Sequence, residues 1–304
     1  MLFVPRPTFS ADQIPDLSGQ VILVTGGNAG IGKETIRVLL QHNAKVYMAA
    51  RSRERAEAAI EDLKKQTGKE AIFLKLDLIS FQSIRSAAEH FLSKESALHV
   101  LINNAGVMFC PIELVTADGY DLQFMTNVLG PFLFTKLLMP AILAGKETHP
   151  DHHSRIITVS SSASHLCGDI KFGTFKDGPA RRKLSPMEHY SQTKLADFVI
   201  ARQYAKRYAD RGVLSIALNP GNIDTDLLKN FPSITQKLMR TFVLQPIQNG
   251  ALTQLYASTM PEAIHHNGGF LIPWARVGRA RPEAYDDALG ERLYAWLENE
   301  VKDK

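Results

Sequence analysis

The sequence predicts an α/β protein built as one domain on a doubly wound parallel sheet. Three observations point there. Short apolar runs alternate with segments of helical spacing along most of the 304 residues. The run Val21 to Val24 passes into a glycine turn at Gly26, Gly30 and Gly32, and then into helical spacing at Ile36, Leu39 and Leu40. Several other runs end in small polar residues, as strands do when their carboxyl ends share a crevice.

Composition narrows the function classes. A hydrophobic content of 45% over 304 residues is enough for a large core. The net charge of +4 is spread over 35 basic and 31 acidic residues, with no basic block and no aromatic interleaving, so a nucleic-acid partner is not expected. Cys110 and Cys167 offer neither a disulfide framework nor zinc spacing, which suits a reducing, cytoplasmic setting. Residues 1–16 are proline-bearing, with an apolar run too short for a signal-peptide core, and read as an extension before a single domain over 17–304. The most hydrophobic stretch, 128–144, is interrupted by Gly130, Pro131, Lys136 and Pro140, so a buried or interface helix is expected there and no transmembrane segment. His149, Asp151, His152 and His153 lack the spacing of a ligand set and read as a solvated loop, and His265 and His266 read likewise; no metal is expected.

The elements follow in order. The glycines after the first strand permit a tight turn and close approach of a pyrophosphate to the main chain, with helix amides aimed at the anion, so a dinucleotide is expected. A second strand over 45–50 leads into Arg51, Ser52 and Arg53. Ala50 cannot offer a carboxylate to a ribose 2′-hydroxyl, whereas Arg51 can pair with a 2′-phosphate, which favours NADP(H) over NAD. Basic residues at a helix start oppose the helix dipole, so both arginines lack a local stabilising reason. A third strand over 72–76 ends in Asp77, placed to meet an adenine amino group, and a fourth over 98–102 ends in Asn103, Asn104, Ala105 and Gly106.

A helix expected from about Asp118 carries Asn127. Pro131 has no amide hydrogen for the Asn127 carbonyl, so a kink with a bound water is expected. The fifth strand, over 155–159, runs into Ser160, Ser161, Ser162 and Ser164. Ser185, Pro186 and Glu188 then form a capping box with a proline at the first helical position. On that helix Tyr190 and Lys194 lie four residues apart on one face, with a rise of roughly 6 Å, close enough for an ammonium to act on a phenol. A sixth strand over 213–218 ends in Asn219, Pro220 and Gly221, and the irregular apolar segment 225–246 reads equally as a lid or as a core helix pair. A helix over 249–258, a short strand over 270–272 and a helix from about Glu283 complete the chain.

Thr25-Gly-Gly-Asn-Ala-Gly-Ile-Gly32, Asn103-Asn-Ala-Gly106, Asn127, the serine run, Tyr190-x-x-x-Lys194 and Asn219-Pro-Gly221 together resemble the short-chain dehydrogenase/reductase family, from about Leu17 onward. Ala49-Ala-Arg51, the long segment before Tyr190 and Leu271-Ile-Pro-Trp-Ala275 make the chain look most like its NADP-dependent, retinol-dehydrogenase-like branch. The resemblance implies a Rossmann fold with seven parallel strands, the number counted above. It implies Tyr190 as general acid/base, Lys194 as the ribose-holding ammonium that favours phenolate, Asn127 as keeper of a relay water, and Ser161 as the hydroxyl that positions the substrate carbonyl. Cofactor contacts are implied at Gly26, Asn28, Gly30, Ile31 and Gly32, at Arg51, Asp77 and Leu78, and at Asn104, Ala105 and Gly106. Tyr190, Lys194, Pro220, Gly221, Ile223 and Thr225 complete that set.

Between Ser161 and Tyr190 the chain is longer than in the shortest family members, and Leu166, Cys167, Ile170, Phe172 and Phe175 are expected to wall a pocket. With Met108, Phe109, Leu227 and Leu228 they suggest a lipophilic aldehyde, ketone or alcohol as substrate. A homodimer through the helices bearing Asn127 and Tyr190 is a further expectation from the resemblance. The competing class is a catalytically silent NADP-binding sensor or scaffold; a sugar epimerase is disfavoured by the glycine spacing.

Overall fold

The computed structural model describes residues 5–223 and 244–304. Eight strands form one sheet in the order β3-β2-β1-β4-β5-β6-β7-β8. Their ranges are β1 Val21–Thr25, β2 Lys45–Ala50, β3 Ile72–Lys75, β4 Val100–Asn103, β5 Ser154–Val159, β6 Val213–Leu218, β7 Phe270–Ile272 and β8 Arg276–Gly278. The first seven pair in parallel, and β8 folds back antiparallel on β7, with Leu271 opposite Val277. The eighth strand adds to the seven expected. Three residues, Arg-Val-Gly, carry no readable period, and Val277 stands 66% exposed.

Helices flank the sheet in two layers: α1 Gly30–Gln41, α2 Arg53–Thr67, α3 Phe81–Leu92, α4 Leu122–Gly145, α5 Pro186–Tyr208, α6 Ile247–Thr259 and α7 Asp287–Glu300. Alternation along β1 sorts them. Val21 and Leu23 join one core with side chains of α3, α4, α5 and α7, whereas Ile22 and Val24 join the other with α1, α2 and α6. A strand buried on both faces reads as an unbroken apolar run, which is why β1, β5 and β6 were legible. Phe9, Ile14 and Leu17 pack into the second core.

Helix ends follow local chemistry. Ser185 Oγ accepts from the Glu188 amide at 3.3 Å and the Glu188 carboxylate accepts from the Ser185 amide at 2.8 Å, the capping box that starts α5. α4 begins later than the expected Asp118, where Asp121 caps the Phe124 amide at 2.9 Å. Its second turn is a π turn, Met125–Leu129, in which the Gly130 amide reaches back to the Met125 carbonyl. Pro131 cannot donate to Asn127, and the ladder widens just in front of it. Gly130 is needed there, because a Cβ would stand 2.3 Å from the Leu78 carbonyl oxygen.

α4 is long and apolar enough to cross a membrane by length and composition, but 72% of its most hydrophobic window is buried inside the fold. α7 covers it: Phe132 meets Tyr294 edge-on with centroids 5.3 Å apart, and Lys136 pairs with Glu298. From His189 to Ala205 every residue of α5 except Arg202 is buried within the single chain. Both helices of the pair expected to face a second copy carry contacts to the chain's own α7, through Phe132 and Tyr204 against Tyr294.

Two further expectations are corrected. Phe175 is a core residue that stacks on Phe124 at 3.8 Å and meets Trp296 edge-on, whereas Ile170, also buried, lines with Phe172 a cavity bounded by Arg292 and Trp296, away from Tyr190. The His149 loop is not merely solvated. His149 is buried with Nδ1 2.6 Å from Asp151, and Asp151 also pairs with the fully buried Arg155. Arg155 in turn donates to the Ala257 and Met260 carbonyls, holding the end of α6 to β5. The lid reading over 225–246, with Thr225, Leu227 and Leu228, falls almost wholly outside the described residues.

Candidate active site

The site lies beyond the carboxyl ends of β1, β4, β5 and β6. Thr25, the last residue of β1, fastens the first two: its hydroxyl accepts from the amides of Asn104 and Ala105, each at 3.0 Å. Asn104 returns the contact, donating from its side chain to the Thr25 carbonyl at 2.9 Å. Gly26 has φ +66° and Gly30 φ +54°, left-handed conformations in which glycine carries no steric penalty. At Gly32 a Cβ would stand 2.5 Å from the Gly26 carbonyl oxygen and 2.6 Å from Asn104 Nδ2, so this glycine lets the turn, the helix and Asn104 close on one another.

The start of α1 fits an anion. Its N-cap is Ala29, which has no side-chain acceptor, whereas α2, α3, α5 and α7 are capped by Ser52, Ser80, Ser185 and Asp286. Backbone amides at the glycine turn are thereby left for a ligand, the arrangement that binds a pyrophosphate. Asn28 and Ile31 are half-buried on this turn. Ile31 and Ile223 both approach the Cα of Gly250, where a Cβ would stand 3.1 Å and 2.7 Å from them. Gly221 follows Pro220 at φ +91°, and its amide donates to Asn219 Oδ1 at 3.0 Å. Asp77 is partly committed to its own turn, accepting from the Ile79 amide at 3.3 Å.

The two arginines after β2 separate in the structure. Arg53 pairs with Glu57 at 3.0 Å and lies over the Phe73 ring at 4.7 Å. Arg51 is exposed, and among the described residues none forms an ion pair with it.

Asn127 projects from the π turn into the backbone beside Gly106. Its Oδ1 accepts from the Val107 amide at 2.8 Å, and its Nδ2 donates to the Val107 carbonyl and to Thr193 Oγ1, each at 3.0 Å. Thr193 Oγ1 donates onward to the Tyr190 carbonyl at 2.7 Å. Asn127 is thus the clamp between the β4 loop and the helix that carries Tyr190 and Lys194. Tyr190 is buried, with its ring 6.2 Å from that of Phe109 and 5.9 Å from Lys194 Nζ. Lys194 Nζ donates to the Val159 carbonyl and to Asp197 Oδ2, both at 2.8 Å, and lies 3.7 Å from where a Gly106 Cβ would stand.

Burial disfavours the Lys194 ammonium, but the Asp197 carboxylate and Tyr190 outweigh it, so the lysine pKa is raised. Burial pushes the Asp197 carboxyl up to about 6 against the pull of Lys194. The serines after β5 also separate. Ser160 is buried and donates to the Lys194 carbonyl at 2.6 Å, Ser162 is exposed, and Ser161 is half-buried with Oγ accepting from the Ala163 amide at 3.1 Å. Leu166, placed in the pocket wall by sequence, stands 66% exposed. Thr25, Thr193 and Asp197 received no role from the sequence. Of these only Asp197 left a signal, as a carboxylate within the apolar run Leu195-Ala-Asp-Phe-Val-Ile-Ala201.

The sequence profile of the short chain dehydrogenases matches residues 20–171. A short-chain dehydrogenase/reductase of Armillaria gallica is 52% identical over 302 residues, covering 99% of this chain and 96% of its own. The chain belongs to the short-chain dehydrogenase/reductase family. An uncharacterized oxidoreductase of Schizosaccharomyces pombe is 38% identical over 306 residues, covering 98% of this chain and 89% of its own. Among solved structures, an uncharacterized protein from Mycobacterium paratuberculosis superimposes with a TM-score of 0.76 at 29% identity, over 97% of both chains. As a short-chain dehydrogenase/reductase the protein is an oxidoreductase acting between CH–OH and C=O groups with a nicotinamide cofactor. The uncapped α1 terminus and the closely packed glycine turn fit such a dinucleotide.

Proposed function

We propose that this short-chain dehydrogenase/reductase uses NADP(H) to interconvert a lipophilic aldehyde or ketone and its alcohol, as in the retinol-dehydrogenase-like branch. The observation that carries this reading is the convergence of Tyr190 and the buried Lys194 ammonium beside Gly106, on a helix that Asn127 holds in register. A bound nicotinamide would supply the hydride. As the carbonyl carbon is reduced its oxygen gains negative charge, and Tyr190 delivers a proton there while Ser161 donates a hydrogen bond to the same oxygen. In the oxidative direction Tyr190 must accept that proton, and the Lys194 ammonium favours the phenolate that does so. Asn127 fixes the lysine-bearing helix and the relay water beside it. Arg51, exposed and with no ion pair among the described residues, supports NADP(H), since a 2′-phosphate would complete its charge pairing. Phe109 lying nearly parallel to Tyr190 supports an apolar substrate.

The test is consumption of NADPH, with NADH in parallel, against aromatic, terpenoid and long-chain carbonyls. Tyr190→Phe should lower kcat by at least about 10² to 10⁴ while NADPH still binds. Retained turnover in that variant removes Tyr190 from its role, and tight NADPH binding without turnover on any carbonyl favours a sensor.

A further inference from the structure

The Lys194 ammonium is bound by one neutral oxygen, that of Val159, and one carboxylate, that of Asp197. Lys194 and Asp197 are three residues apart on α5, and both side chains are more than nine-tenths buried. A buried ammonium with only neutral acceptors tends to give up its proton, because burial penalises the charged form. The groups that act electrostatically on Lys194 are Asp197 and Tyr190, and the one that acts on Asp197 is Lys194. No charge from the sheet or from α4 enters this set among the described residues. Asp197 therefore has two effects. It keeps Lys194 charged when the Tyr190 phenol is neutral, and it cancels part of the positive potential that Lys194 exerts at the phenol.

We propose that Asp197 is a positioning residue that holds the Lys194 ammonium in place and sets the strength of its field at Tyr190. It touches neither substrate nor cofactor; it acts through the lysine. The inference rests on the reading of Tyr190 and Lys194 as the acid/base pair. A catalytic lysine compensated by a buried carboxylate on its own helix makes a tyrosine less acidic than the same lysine alone. The raised Asp197 pKa agrees with this placement: the carboxylate is kept at a desolvated position where Lys194 is its counter-charge. Lys194 touches Asp197 at 2.8 Å and lies 5.9 Å from the Tyr190 ring, so the observable is the difference between variants.

The experiment reads phenolate directly. Ultraviolet absorbance near 295 nm is titrated with pH, and subtraction of the same curve in a Tyr190→Phe background isolates Tyr190 from the other tyrosines. In Asp197→Asn, which keeps the shape and removes the charge, the phenolate should appear at a pH lower by on the order of one unit. The alkaline rise of kcat for alcohol oxidation should move by the same amount, because Lys194 then has the phenolate as its remaining counter-charge. If Asp197→Asn does not fold, Asp197→Ser leaves a smaller neutral acceptor at the same position and carries the same measurement. A phenolate curve that coincides with the unsubstituted protein's overturns the proposal, and one that moves to higher pH overturns the claim that Asp197 weakens the field at Tyr190, because it shows Lys194 losing its charge instead. The absorbance reading needs no substrate, so a shift seen in a protein that reduces no carbonyl would leave the role of Asp197 standing while the catalytic reading falls.

Discussion

Arg51 and Arg53 are two positions apart, yet only one is available to a ligand. Arg53 is spent on Glu57 and on the face of Phe73, within its own helix and the neighbouring strand. Arg51 is left exposed at the end of β2, where the adenosine ribose of a dinucleotide would arrive in this fold. Arg51→Ala should therefore raise the KM for NADPH by about tenfold or more, the loss of a charge-assisted contact worth about 1.5–3 kcal/mol, and leave the KM for NADH nearly unchanged. Arg53→Ala should change neither. Equal effects of the two substitutions would return both to the status of solvated helix-start residues. The same selectivity runs through the serine run, where Ser160 is tied to α5 and Ser162 faces solvent, so that Ser161 is the hydroxyl left at the strand end.

At the scale of elements, junctions decide what is held rigid. Arg155, the second residue of β5, reaches the carbonyls at the end of α6, with Asp151 as its counter-charge. Burial pushes the Asp151 carboxyl up, but His149 and the Arg155 guanidinium together hold it well below the usual carboxylate range. A depressed carboxylate stabilises the fold above its unfolded pKa of about 3.9 and loses that contribution as pH falls toward the folded value. Asp151→Asn should thus cost about 3–5 kcal/mol at pH 7, read by urea unfolding, and should flatten the acid limb of stability below about pH 4. An unchanged acid limb would show that other carboxylates carry it. This junction was illegible in the sequence because its residues come from a loop, a strand and a distant helix end, with no shared period. The capping box at Ser185 was legible for the opposite reason, since its parts are adjacent in the chain. Asn127 was half legible: Pro131 marked the break, but that the amide would clamp Val107 and Thr193 depended on contacts across 20 and 66 residues.

For the whole molecule, the sheet order places the glycine turn at its middle, with the nucleotide half on one side and the tyrosine helix on the other. α7 then seals the second half: Trp296 meets Phe124 and Phe175, Tyr294 meets Phe132 and Tyr204, and Tyr120 pairs with Glu300. Because those aromatics cover α4 and α5 from within, the protein is expected to sediment with the mass of one chain. A mass of two chains that survives charge-reversing substitutions along α7 would place association on another surface. The lengthening before Tyr190, which in sequence looked like pocket wall, supplies Phe172 and Phe175 to this same seal.

β8 gives the sheet a property that none of its parallel strands has. An open row of parallel strands ends in unpaired amides and carbonyls, which can template a strand from another molecule. Here that border is only three residues long, runs against the direction of its neighbours and carries an arginine and a glycine. A passing chain would find too short a ladder to grip, so on this side the fold resists fibril-like growth at the concentrations of a crowded cell.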